Sequence, residues 1–155
     1  MIVRKAKLKD VDEITNLNYL LMRYHVKFDK YYKVNKHHRK IYNKYAKRLI
    51  RSRNALFLVA EVNGKLVGTT YGEIKKRPPI MEVLKYGHLG DVFVLKKYRN
   101  QGIGKKLTKE VMKWFKSKRI KFVELSADVR NKVGLKAWER LGFKPFMVKM
   151  KKTVK

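Results

Sequence analysis

Cysteine is absent, proline occurs three times, and acidic residues are scarce: twelve Asp and Glu stand against forty-one Lys and Arg in 155 residues, a formal net charge of +29. Without cysteine there is no disulfide, no thiolate metal ligand and no cysteine nucleophile. No stretch approaches the roughly 18 apolar residues that a membrane span needs, and the start, Met1-Ile2-Val3-Arg4-Lys5-Ala6-Lys7, has no apolar run of the secretory kind. A cytoplasmic protein with no membrane association is expected. Zinc-ligand spacings, a nucleophile elbow and the aromatic or arginine-rich patterns of DNA-binding motifs are missing too, so no metal is expected.

What is present suits one domain, residues 1–155, since 45% of the residues are hydrophobic and a chain of this length can bury a sizeable core. The positive excess admits two readings. One is attraction to an anionic partner, nucleic acid or acidic protein, together with steering of an anionic ligand. The other is a solvated lysine surface, because the basic residues are spread along the chain rather than gathered in a tail. A homodimer is compatible with the sequence.

Ile2 to Ala6 reads as a short strand, and Asp10, three residues before Glu13, as the cap of a helix carrying Val11, Ile14, Leu17 and Leu21 on one face to about Tyr24. His25, Phe28, Tyr31, Tyr32 and Val34 follow without periodicity, as a loop or short helix. A second helix runs from His37 to Arg51 with Ile41, Tyr45, Ala46 and Leu49 as its apolar face. Ala55 to Val62 and Lys65 to Ile74 are strands joined by the hairpin signal Asn63-Gly64. Arg77-Pro78-Pro79 ends the second of them, and Tyr86 to Leu95 is the next. Lys121 to Ala127 is a strand, Asn131 to Leu141 a helix ended by Gly142, and Phe143 to Thr153 a last strand or hairpin.

Between these elements, Val92-Phe93-Val94 leads into Arg99-Asn100-Gln101-Gly102-Ile103-Gly104-Lys105, and Ile103, Leu107, Val111, Trp114 and Phe115 then keep helical spacing. The glycines therefore open a helix. There the first N–H groups have no partner within the helix, and with the helix dipole they favour a phosphate, which glycine lets come close. A Walker loop would need glycine at position 99 and Ser or Thr at position 106, where Arg99 and Lys106 stand. A Rossmann turn would need its third glycine in place of Leu107.

The remaining pattern, Arg99-x-x-Gly102-x-Gly104, resembles the Arg/Gln-x-x-Gly-x-Gly/Ala signature of the GNAT superfamily of acetyl-CoA-dependent N-acetyltransferases. A second stretch in register, Asn131-x-x-Gly134-x-x-x-Trp138-x-x-x-Gly142-Phe143, is similar to that family's Asn-x-x-Ala-x-x-x-Tyr-x-x-x-Gly-Phe. The element order fits as well, so the resemblance spans nearly the whole chain. It implies an α/β (α+β) fold with a mixed, mostly antiparallel sheet of six to seven strands and about four helices.

It also implies acetyl-CoA as cosubstrate and a primary amine of a protein, peptide or small molecule as acceptor. The backbone of Val92, Phe93 and Val94 would pair with the pantetheine arm and polarise the thioester carbonyl. The amides of Asn100, Gln101, Gly102, Ile103, Gly104 and Lys105 would take the pyrophosphate, with Arg99 at the head of the turn, and Asn131 would contact the cofactor beyond the next strand. Polyamine acetyltransferases of the superfamily carry a glutamate before the aspartate of this strand. Here the pair is Gly90-Asp91, which leaves Glu73, Asp91 and His88 as candidate bases, Glu73 being favoured because the neighbouring strand can aim a carboxylate into the acceptor cleft. Trp138 replaces the tyrosine that protonates the departing thiolate in many members, and an indole N–H cannot do so. Two other readings stay open: a CoA-binding regulator without catalysis, and a basic nucleic-acid or ribosome-associated module on the same scaffold.

Overall fold

The computed structural model describes residues 1–154. One sheet runs in the order β1 (Ile2–Lys5), β2 (Ala55–Val62), β3 (Lys65–Lys76), β4 (Lys85–Leu89) and β6 (Val123–Glu124), while β5 (Phe93–Val94) pairs with the first part of β3. All pairs are antiparallel except β4 with β6. This is the six-stranded, mostly antiparallel α/β architecture expected.

Why the sheet carries helices on both faces is written in β2. Phe57 and Val59 enter a core with Ile14, Leu17 and Leu21 of α1 (Val11–Val26) and Ala46 and Leu49 of α2 (His38–Arg51). Their neighbours Leu56, Leu58 and Ala60 enter a second core with Ile103, Leu107, Val111 and Phe115 of α3 (Ile103–Ser117). A strand buried on both faces shows a continuous apolar run in place of alternation. The hairpin forms at Asn63 and Gly64, whose φ angles of 49° and 75° are the positive pair that a twisted two-residue turn requires.

Four expectations are corrected. Asp10 does not cap α1 through its side chain. Its carboxylate instead accepts the Lys7 N–H at 2.6 Å and pairs with Arg4, closing the preceding turn, while Glu13 reaches across to the N–H of Leu66 at 3.2 Å. The strand expected over Tyr86 to Leu95 is broken: the partner of Gly72 is Leu89 but the partner of Thr69 is Phe93, so one extra residue is accommodated around Asp91 and Val92 as a bulge.

The third correction is the strand from Lys121 to Ala127, which shrinks to Val123 and Glu124. The fourth is the C-terminal strand: residues 143–154 form none. Pro145 has no N–H for a ladder, β6 offers only a two-residue edge, and Phe146, Met147 and Val148 are consecutive apolar residues that cannot share one face of a strand. All three are largely exposed.

Candidate active site

Two openings meet at the bulge. On one side β6 pairs with β4 only as far as His88↔Glu124, which leaves the edge from Leu89 to Val94 without a strand partner opposite β3. The N–H of Leu95 bonds to Val67 on β3, so strand alternation turns the N–H and C=O of Val94 to this open edge. Arg99 donates from Nε to the Val94 carbonyl at 2.9 Å, and its guanidinium lies 5.8 Å from the ring centres of both Phe93 and Tyr24. Arg99 thus ties the glycine turn to β5.

The turn itself is built to hold an anion. Gly102 caps α3 with φ of 76°, and Asn100 also has positive φ, 60°. Six successive N–H groups, Asn100 to Lys105, have no acceptor among the described residues, and the first bond of the helix runs from Lys106 to Gly102. A Cβ at Gly102 would meet nothing within 4 Å, and one at Gly104 would touch only Val92 at 3.6 Å and Val94 at 3.9 Å. Open space over unpaired amides at a helix N-terminus fits a pyrophosphate. Lys105 beside it is exposed and makes no ion pair among the described residues.

Asn131 sits across this opening. Its side-chain oxygen accepts the Gly134 N–H at 3.0 Å and so caps α4 (Lys132–Arg140), with the Tyr24 hydroxyl 3.5 Å from the same atom. A Cβ on residue 134 would lie 2.5 Å from the Asn131 amide nitrogen, which explains glycine where the family pattern has alanine. Trp138 packs edge-on against Phe143, ring centres 5.6 Å apart.

On the other side of the bulge the three candidate bases share the face covered by α2, but their situations differ. Glu73 is mostly buried and spoken for: Arg48 of α2 binds its carboxylate at 2.7 Å. His88, its cross-strand partner, is half-buried, and burial, helped by the Lys75 charge, lowers its pKa against a smaller contribution from Glu73. Asp91 has no ion-pair partner among the described residues. Water reaches its side chain, yet protein crowds it, and desolvation raises its carboxyl above the ordinary range with His25 opposing. The open side limits that rise, since water in contact with the carboxylate still solvates its charge.

Around Asp91 stand residues that the sequence did not single out for this place. Tyr45 and Tyr71 join hydroxyls at 2.9 Å, and Tyr42 stacks on His38 with ring centres 5.7 Å apart. Burial, reinforced by the charge of Asp91, raises the hydroxyls of Tyr42 and Tyr71 well out of reach of physiological titration, so both remain neutral donors.

Tyr71 also accounts for the missing glutamate. A Cβ at position 90 would stand 2.2 Å from the Tyr71 ring, so a side chain there is sterically forbidden while the tyrosine stays. Gly90→Ala is accordingly expected to destabilise by about 1–3 kcal/mol in urea unfolding. The same change should cost much less in a Tyr71→Ala background, because the clash partner is then gone. Additive costs would show that the strain has another source.

Comparison with known proteins agrees with this geometry. The model of the Acetyltransferase (GNAT) family matches residues 17–143. An N-alpha-acetyltransferase of Sulfurisphaera tokodaii is 31% identical over 94% of this chain and 81% of its own length. Among solved structures, a mutant of the BH1408 protein of Bacillus halodurans superposes with a TM-score of 0.85 at 19% identity, covering 99% of each chain. A predicted acetyltransferase of Clostridium acetobutylicum, crystallised with acetyl-CoA, superposes with a TM-score of 0.77 at 18% identity over 98% of this chain and 95% of that one. At such identities these two structures speak for the fold alone. Among the described residues no helix is long and apolar enough to cross a membrane, and no cluster of three His, Asp or Glu is placed to hold a metal.

Proposed function

Because the chain belongs to the acetyltransferase (GNAT) family and is an N-acetyltransferase, we propose that it transfers the acetyl group of acetyl-CoA to the α-amine of a peptide or protein N-terminus. The observation that carries this reading is the pairing of two openings at one bulge: unpaired amides and a free strand edge on one side, Asp91 within a tyrosine-walled recess on the other. The name of the Sulfurisphaera tokodaii relative supports the choice of amine, and the match to the acetyltransferase family supports the donor.

Acetyl-CoA, when bound, supplies an activated acyl group on a thioester. The chain has three tasks. The amides of Asn100 to Lys105 hold the pyrophosphate, and the open edge at Val92 to Val94 aligns the arm and offers the Val94 N–H as a donor. Asp91 receives the amine's proton, directly or through one water, and its raised pKa brings it closer to the operating pH, where a general base is most effective. Tyr42, Tyr45 and Tyr71 wall the recess with hydroxyls. A peptide backbone can bond to such a wall, whereas a polyamine meets a protein of net charge +29.

A thiol-release assay with acetyl-CoA and a panel of acceptors tests this. Peptides with free N-termini should turn over, spermidine should not, and N-terminally blocked peptides with internal lysines should be poor. Acetyl-CoA binding without thiol release on any amine would favour the regulator instead.

The C–S bond breaks as the amide forms, and because a thiolate is only weakly basic CoA can leave in that form, so no residue at position 138 is needed as an acid. Trp138→Phe should fold and keep turnover within about tenfold, since removing the indole N–H forfeits at most one hydrogen bond, about 0.5–1.5 kcal/mol. A general acid is worth about 10²- to 10⁴-fold. A loss of several hundredfold in a folded, CoA-binding variant would give Trp138 a role in the chemistry.

A further inference from the structure

The excess charge is not evenly spent. Among the described residues, eight of the twelve carboxylates are in ion pairs, and these engage seven cations: Arg4, Arg39, Arg48, Arg77, Lys113, Arg130 and Lys151. Scarce acid has been placed where it fixes structure. Two of the pairs reach one helix from outside, Arg39 with Asp12 and Arg48 with Glu73, yet its other cations are left unmatched among the described residues. The helix α2 contains no Asp or Glu, and on the side turned away from the core it carries Lys40, Lys44, Lys47 and Arg51, all exposed and without an ion pair among the described residues.

Offsets of four, seven and eleven place these four cations in one row about 17 Å long. Arg48 flanks the row on the side of the acceptor recess, where it binds Glu73, and Asp12, at the other flank, is already held by Arg39 and Asn43. The row works against the helix that bears it. Lys40 with Lys44 and Lys47 with Arg51 are like charges one turn apart, which destabilise a helix. Arg39 and Lys40 also sit in the first turn, at the positive end of the dipole. A merely soluble surface would interleave glutamate with lysine and avoid both penalties.

We propose that this row is a docking surface for the phosphate backbone of double-helical RNA. Cations spaced by about 5.5 Å along a rigid rod match a line of phosphates far better than a few scattered carboxylates of an acidic protein. The row has no aromatic platform on which single-stranded bases could stack, and Asn43 is the only amide beside it, so it reads backbone and shape and not sequence. A-form RNA, with a major groove too deep and narrow for side chains, presents itself to proteins in that way.

The proposal is independent of the acceptor assigned above. Its test is fluorescence anisotropy of the full chain with a labelled RNA duplex of about 20 base pairs, long enough for a single face to lie on it, from about 50 to about 200 mM salt. The variant Lys40→Gln/Lys44→Gln/Lys47→Gln/Arg51→Gln should lose at least tenfold in affinity, and its plot of log K against log salt should be shallower by about 3 to 4, or about 0.9 per phosphate contact removed. Lys5→Gln/Lys65→Gln/Lys85→Gln/Lys144→Gln, with the same net charge but no row, should lose less than about threefold, and acetyl transfer should be unchanged in both. Equal losses in the two variants would show that net charge alone acts. Absence of binding by the wild type, equal or tighter binding of a DNA duplex of the same length, or competition by poly-glutamate as effective as that by RNA would each overturn the proposal. Circular dichroism and the unchanged acetyl transfer verify that the first variant is folded.

Discussion

Gly104→Val should abolish the rise in melting temperature that acetyl-CoA produces in the wild type, while leaving the unliganded protein as stable as before or slightly more so. A ligand that binds only the folded state at a hundredfold excess over its Kd contributes about 2.7 kcal/mol, or about 5–10 °C for a chain of this size. That whole shift is at stake, because the phosphate must reach amides that a branched side chain would cover. The apo protein should tolerate the change, since a Cβ at Gly104 meets only Val92 and Val94 methyls at 3.6 and 3.9 Å. Valine also has a better helix propensity than glycine.

Gly102→Val is the less decisive variant: at φ of 76° a side chain costs about 1–2 kcal/mol by itself. Loss of binding there would be mixed with loss of fold. Differential scanning fluorimetry of Gly104→Val with and without acetyl-CoA separates the two effects, and an undiminished shift in that variant would remove the glycine turn from the binding site.

The turn was legible in the sequence because everything it needs is local. Strand, glycines and helix lie within about twenty consecutive residues, and unpaired amides at a helix start follow from helix geometry. The two-sided core was legible for the same reason, from the apolar run of β2 and the spacing of Ile103, Leu107, Val111 and Phe115. The acceptor side was not. Tyr71 and position 90 are neighbours only through the pairing of β3 with β4, so the reason for Gly90 could not be read along the chain. Glu73 looked free until α2 laid Arg48 against it. The bulge is hidden because Val92 to Leu95 is uniformly apolar, and a one-residue slip in such a run leaves no trace in the pattern. The C-terminal segment has strand-like composition but lacks both an alternating face and an edge to join.

Asp91→Asn should lower kcat/KM for an N-terminal peptide by about 10²- to 10⁴-fold, the usual contribution of a positioned general base, with acetyl-CoA binding unaltered. The substitution is nearly isosteric and cannot accept the proton. Its effect on stability runs the other way. A carboxyl whose pKa is higher in the folded than in the unfolded chain binds protons more tightly when folded, so the fold loses stability as pH rises from the unfolded to the folded value. Asparagine removes that loss, and the variant should melt at the same or a higher temperature than the wild type above that window. A variant more stable and far less active is the mark of a group kept for chemistry.

The pH profile supplies the second reading. Wild-type kcat/KM should rise along a limb whose midpoint lies above the ordinary carboxylate range. His88→Gln should preserve that limb, because the limb is assigned to Asp91, while burial lowers the His88 pKa and favours its neutral form. Activity of Asp91→Asn within about threefold of wild type would remove Asp91 from the mechanism, since even a weak general base contributes more than that. A limb that vanishes in His88→Gln would transfer the role to the histidine.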